Sequence, residues 1–100
     1  MIPNTVIGSV PGTGAAINVV LGFKPDYVEV VNSVTGSMLR RFRGFTGLKE
    51  VVAGTVTVAA GLTDYSGPTG DGFTIPVDAQ VNINGNTISY IAIRSGPGAH

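Results

Sequence analysis

Fifteen glycines and six prolines are scattered through these 100 residues in small clusters, and the runs between them are short and rich in Val, Ile and Thr. This punctuation constrains the fold more than any motif does. β-Branched residues suit a pleated, half-buried surface, and Gly/Pro clusters mark turns. No window combines helical periodicity with capping signals. The weakest exception is TGLKEVVA (46–53), which has room for one helical turn. The expected class is all-β: one antiparallel β-sandwich or jelly-roll-like barrel of about six to eight short strands.

The runs place the strands. AINVVLGF (16–23) reads as the first strong strand, and Pro25 turns the chain after it. YVEVVNSV (27–34) follows, with Val28 and Val30 on one face and Glu29 on the other. Thr35-Gly36 returns it into SMLRRFRGF (37–45) as a hairpin partner. EVVAGTVTVAAG (50–61) holds another strand, LTDYSGPTGDG (62–72) reads as a loop, and FTIPV (73–77) is a short strand that Pro76 confines to an edge or ends. AQVNINGNTISYIAIR (79–94) reads as a hairpin turning at Asn84-Gly85 or Gly85-Asn86. Either register sets Val81, Ile83, Ile88 and Tyr90 on one face, while Ile91 and Ile93 make the base of the hairpin apolar on the other face too. A strand apolar on both faces lies centrally in a sandwich or under a neighbouring subunit. Residues 1–14 read as an extended arm able to order on a neighbour, 15–95 as the β-domain and 96–100 as a loose tail.

Only 12% of the residues are charged, and six acids balance six bases. A typical soluble domain carries about 25% charged residues. So little charge at zero net favours association, and much of the surface is expected to be covered by partners. The balance argues against a general nucleic-acid binder, which would be basic overall. The absence of cysteine removes disulfides, zinc thiolates and thiol nucleophiles. No apolar run approaches the roughly 18 residues of a membrane span, and the N-terminus lacks the pattern of a secretory signal, so synthesis in the cytoplasm is expected.

Reactive constellations are sparse. His100 is the only histidine and the last residue, where no fixed partner orients it. Asp64 and Asp71 flank YSGPTG and have the residue type of a glycosidase pair, but Asp in a Gly/Pro loop ordinarily caps a turn. The same loop lacks the spaced acids of a calcium site. GTGAAI and GPTGDG match no phosphate-binding loop. Neither catalytic residues nor a cofactor or metal site is expected.

MLRRFRGF (38–45) holds three of the six basic residues. On a strand, Met38, Arg40 and Phe42 share one face, and Leu39, Arg41 and Arg43 the other. Each face mixes apolar and basic groups, which suits an interface or a solvated strand better than a clean core strand. Arginine's planar fork pairs with carboxylates and carbonyls and stacks on aromatics. The expected contact residues are therefore Arg40, Arg41, Phe42 and Arg43, with Ile91 and Ile93.

Two segments, LGFKPDYVEVVN and GFTIPVDAQVNINGNTISYIAIRSG, resemble small β-rich virion proteins of tailed bacteriophages. The resemblance rests on Gly22, Phe23, Pro25, Asp26, Val28 and Val30, then on Gly72, Phe73, Thr74, Ile75, Asn84, Gly85, Tyr90, Ile91 and Ala92. Similar segments occur in head decoration proteins and in tail-fibre modules. The first implies a non-enzymatic cement protein, commonly a homotrimer, bound to the major capsid protein in the virion. The second implies a receptor-binding module that would take host-surface glycan through Asp64, Tyr65 and Asp71.

Overall fold

The computed structural model describes residues 5–43, 47–51, 56–58 and 61–94. Among them the chain forms strands and turns without a helix: β1 (Thr5–Pro11), β2 (Ile17–Val20), β3 (Tyr27–Asn32), β4 (Met38–Phe42), β5 (Leu48–Glu50), β6 (Val56–Val58), β7 (Thr63–Gly67), β8 (Gly70–Ile75) and β9 (Thr87–Ile93). Every pairing is antiparallel. A large sheet runs β1-β9-β3-β4-β5-β6, and a small sheet runs β2-β8-β7. The fold is an all-β sandwich, as the Gly/Pro punctuation predicts.

The core lies between the sheets. Val19, Phe73 and Ile75 of the small sheet meet Val28, Val30, Leu39, Ile88 and Ala92 of the large one, with Leu62 and Val81 added from loops. The alternation in β3 drives this packing: Val28, Val30 and Asn32 are buried, while Tyr27, Glu29 and Val31 face the other way. The Phe73 and Tyr90 rings meet edge to face, with centroids 5.5 Å apart. Gly8 lies directly opposite Tyr90 in the β1–β9 ladder. A Cβ there would stand 2.7 Å from the Tyr90 hydroxyl, so the missing side chain is what lets this ring lie across β1.

Several expectations need correction. The segment 1–14, read as an extended arm able to order on a neighbour, is from Thr5 to Pro11 the edge strand β1, paired along its length with β9 of the same chain. The loop at 62–72 is mostly the β7–β8 hairpin, turning at Pro68-Thr69. Its Thr and Tyr content was outweighed in the sequence reading by its turn residues. Leu48–Glu50, inside the segment offered as a helical turn, is strand β5.

The hairpin expected at 79–94 is half right. β9 forms and Gly85 takes positive φ (89°), but residues 79–86 are turns and irregular chain with no strand. The Asp78 Oδ1 accepts from the Gln80 and Val81 N–H groups at 2.8 and 3.0 Å, and the Asn82 N–H donates to the Asp78 carbonyl. This coiling prevents a strand, and β9 pairs with β1 and β3 instead. Val81 still reaches the core, from a loop. Residues 96–100, read as a tail, lie outside the described residues.

Two buried asparagines fasten the loops. Asn82 accepts from the Thr13 and Gly14 N–H groups through Oδ1 and donates through Nδ2 to the carbonyls of Ala15 (2.6 Å) and Pro76 (3.0 Å). Asn32 donates to the Val81 carbonyl and accepts from the Val34 and Thr35 N–H groups, closing the β3–β4 turn. Buried polar groups are retained where their hydrogen bonds are met, and no buried side-chain N or O among the described residues lacks a partner.

Candidate functional site

The small sheet covers one face of the large sheet. The opposite, outer face is built from three cross-strand rows. In the first, Thr5, Ile93, Tyr27 and Phe42 lie side by side across β1, β9, β3 and β4. The second runs Ile7, Ile91, Glu29, Arg40 and Leu48. The third runs Ser9, Ser89, Val31, Met38 and Glu50. Period-two alternation puts all of these on the face away from the core.

This face has an apolar half and a charged strip. Ile7 is 76% exposed and Phe42 52% exposed. The Tyr27 and Phe42 rings are tilted against each other, with centroids 4.8 Å apart. Ile7, Val31 and Ile91, with Glu29, Ser89 and Tyr90, line a shallow, almost wholly apolar depression. One arginine serves two acids: Arg40 reaches Glu29 Oε1 at 3.1 Å and Glu50 Oε1 at 3.0 Å. Burial and the neighbouring Glu29 carboxylate push the Tyr27 phenol above its usual pKa, opposed by Arg40. Tyr27 is therefore a neutral hydroxyl at physiological pH.

Of the contact residues expected from sequence, Arg40, Phe42, Ile91 and Ile93 lie on this face. Arg41 does not: it sits on the inner side and bridges to Asp64 of the small sheet at 2.6 Å. Arg43, at the end of β4, holds Asp26 at 2.6 Å and the carbonyls of Lys24 and Pro25. It shares a depression with Phe23, Lys24, Asp26 and Arg94, so basic residues distant in sequence do converge, though around an acid. The face also contains Ile7, Tyr27, Glu29 and Val31, which sequence reasoning did not select. The alternation in YVEVV carried a signal for the last three. Ile7 was hidden by the arm assignment.

The possible ligand loop does not form a convergent set. Asp64 and Asp71 are on one face of the β7–β8 hairpin, opposite Phe73 and Ser66 respectively, and Tyr65 is on the other. Asp64 is engaged by Arg41 and Arg43, and Asp71 accepts from the Ser66 hydroxyl at 2.9 Å. Among the described residues no three His, Cys, Asp or Glu side chains gather as a metal site, and no helix is long and apolar enough to cross a membrane. No protein-family model, curated protein or solved structure matches the chain.

Proposed function

We propose that this chain is a non-enzymatic structural protein of a bacteriophage virion: a decoration or cement protein that binds the head lattice as an oligomer, against the major capsid protein. The observation that carries the reading is the outer face of the large sheet, where exposed Ile7 lines an apolar depression, Phe42 is exposed on the same face, and Arg40 holds both Glu29 and Glu50. Covering the apolar half of such a face costs little desolvation, and the Glu29–Arg40–Glu50 strip, which keeps one negative charge in excess, is left at the rim. Low total charge and the resemblance of two segments to phage virion proteins supply the particle. That resemblance also implies three copies per assembly. Weak single contacts become tight attachment when repeated symmetrically over a lattice. The glycan-binding alternative has less support, since Asp64 is committed to arginines and Tyr65 points to the opposite side from both acids.

The test is attachment to particles. Ile91→Glu places a carboxylate in the apolar depression on a side away from the core. The expected result is a normally folded protein whose occupancy on undecorated heads falls at least tenfold. Full occupancy of the variant, or glycan binding without any attachment to heads, would sink the reading.

A further inference from the structure

Among the described residues, strand β1 is an edge whose sole usual protection is Pro11 at its end. Among the described strands it has a neighbour, β9, on one side only. Edge strands are ordinarily kept from pairing by charge, proline, bulges or shortness. β1 pairs in unbroken register over seven residues, and TVIGSV carries no charge and no proline before Pro11. The direction of its free amides follows from one bond. Gly12 N–H donates to the Asn86 carbonyl at 2.7 Å, a pair that continues the β1–β9 register. Amides alternate in an antiparallel ladder, so even-numbered residues of β1 are turned to β9. The N–H and C=O groups of Thr5, Ile7 and Ser9 therefore point outward.

We propose that this edge pairs with the same edge of a second copy, antiparallel, about a two-fold axis at Ile7. That register exchanges Ile7 N–H and C=O groups reciprocally and joins Thr5 to Ser9 on either side, so each outward N–H of Thr5–Ser9 finds a carbonyl. The side chains are self-complementary, as a two-fold interface requires: isoleucine meets isoleucine, threonine hydroxyl meets serine hydroxyl, and no like charges are opposed. The pairing also continues the apolar row, because Ile7 is directly opposite Ile91 within its own sheet and 76% exposed. Two large sheets become one, with the depressions of the two copies adjoining. The inference stands apart from the particle assignment and requires an even number of copies; in a trimeric assembly it links two trimers.

Sedimentation equilibrium of the whole protein up to about 1 mM, where a contact worth about 4 kcal/mol is half formed, should give an even number of copies. The chain has no cysteine, so single cysteines report cleanly. Ile7→Cys faces itself across the axis at about 5.5 Å between Cα atoms and should oxidise to a linked dimer. Ser9→Cys lies on the order of 13 Å from its mate and should not. Ile7→Lys, and independently Ser9→Pro, which deletes one outward N–H, should each halve the mass, while in dilute solution, where the parent is also dissociated, Ile7→Lys should melt at the parent's temperature. A single copy or three copies throughout this range would overturn the proposal, as would equal cross-linking of the two cysteine variants. So would β1 amides that become protected from exchange only on capsids, which would make the capsid protein the occupant of the edge.

Discussion

Arg41 on β4 reaches across the sandwich to Asp64 on β7, with 2.6 Å between Nη1 and Oδ1. The two sheets are thus tied by charge at one end as well as by the apolar core. Arg41 and Arg40 are neighbours in sequence with opposite roles, one fastening the sheets and the other neutralising acids on the outer face. Arg41→Ala should destabilise the fold by about 1–3 kcal/mol, the range for breaking a partly buried pair and stranding its partner. Arg40→Ala, in a more exposed cluster, should cost less than about 1 kcal/mol. Urea midpoints compare the two, and equal losses would contradict the assignment.

Asn82, in the β8–β9 connection, makes four hydrogen bonds to backbone groups, three to the β1–β2 connection at Thr13, Gly14 and Ala15 and one to Pro76 of its own connection. Asn82→Leu keeps the approximate volume and removes all of them. The expected loss is about 2–4 kcal/mol, since part-buried amides and carbonyls are left unpaired. Hydrogen exchange at Thr13 and Gly14 should accelerate in the variant. Unchanged exchange there would show that the side chain does not hold this loop.

Asp78 gives the fold an acid dependence of known sign. Burial works against its carboxylate, but hydrogen bonds from Lys49 and from the Gln80 and Val81 N–H groups, with the Lys49 charge, outweigh it and lower the pKa from 3.8. A depressed folded-state pKa contributes stability that is fully present above the unfolded value and is lost as pH falls through the folded one. Asp78→Asn should therefore be less stable than the parent at pH 7, with a gap that narrows below about pH 4. Chemical denaturation between pH 7 and pH 2.5 measures this; a constant gap contradicts it.

Gly8 and Tyr90 should be coupled. Gly8→Ala forces the Tyr90 ring from its place and should cost about 1 kcal/mol. In a Tyr90→Leu background the obstruction is gone, and the same change should cost less or nothing. A double-mutant cycle reads the coupling directly, and strict additivity would disprove it.

Much of this architecture was legible in the sequence because local chemistry decided it. YVEVVN alternates, Thr35-Gly36 turns, MLRRF returns, and β3 and β4 pair as that pattern predicts. The apolar Ile91 and Ile93 fit β9 having neighbours on both sides, but β9 lies second from the sheet edge and these two side chains are only half-buried on the outer face. What was not legible depended on partners distant along the chain. Nothing within TVIGSVP shows that it will lie beside residues 87–93. Nothing within DAQVNI shows that Asp78 will coil the segment while Asn82 binds residues 13–15. Arg41 was assigned outward because its carboxylate partner sits in a segment read as loop.

The pairing of β1 with β9 also sets the order of events at birth. Residues 5–11 are translated well before their neighbour in the sheet, which comes only when residues 87–93 have emerged. Until then Val6, Ile7 and Val10 form an adhesive stretch of nascent polypeptide without a berth. Sheet closure is necessarily a late, long-range step, slow by topology, and crowded polysomes are where this chain is most exposed to capture by holding chaperones or by its own siblings.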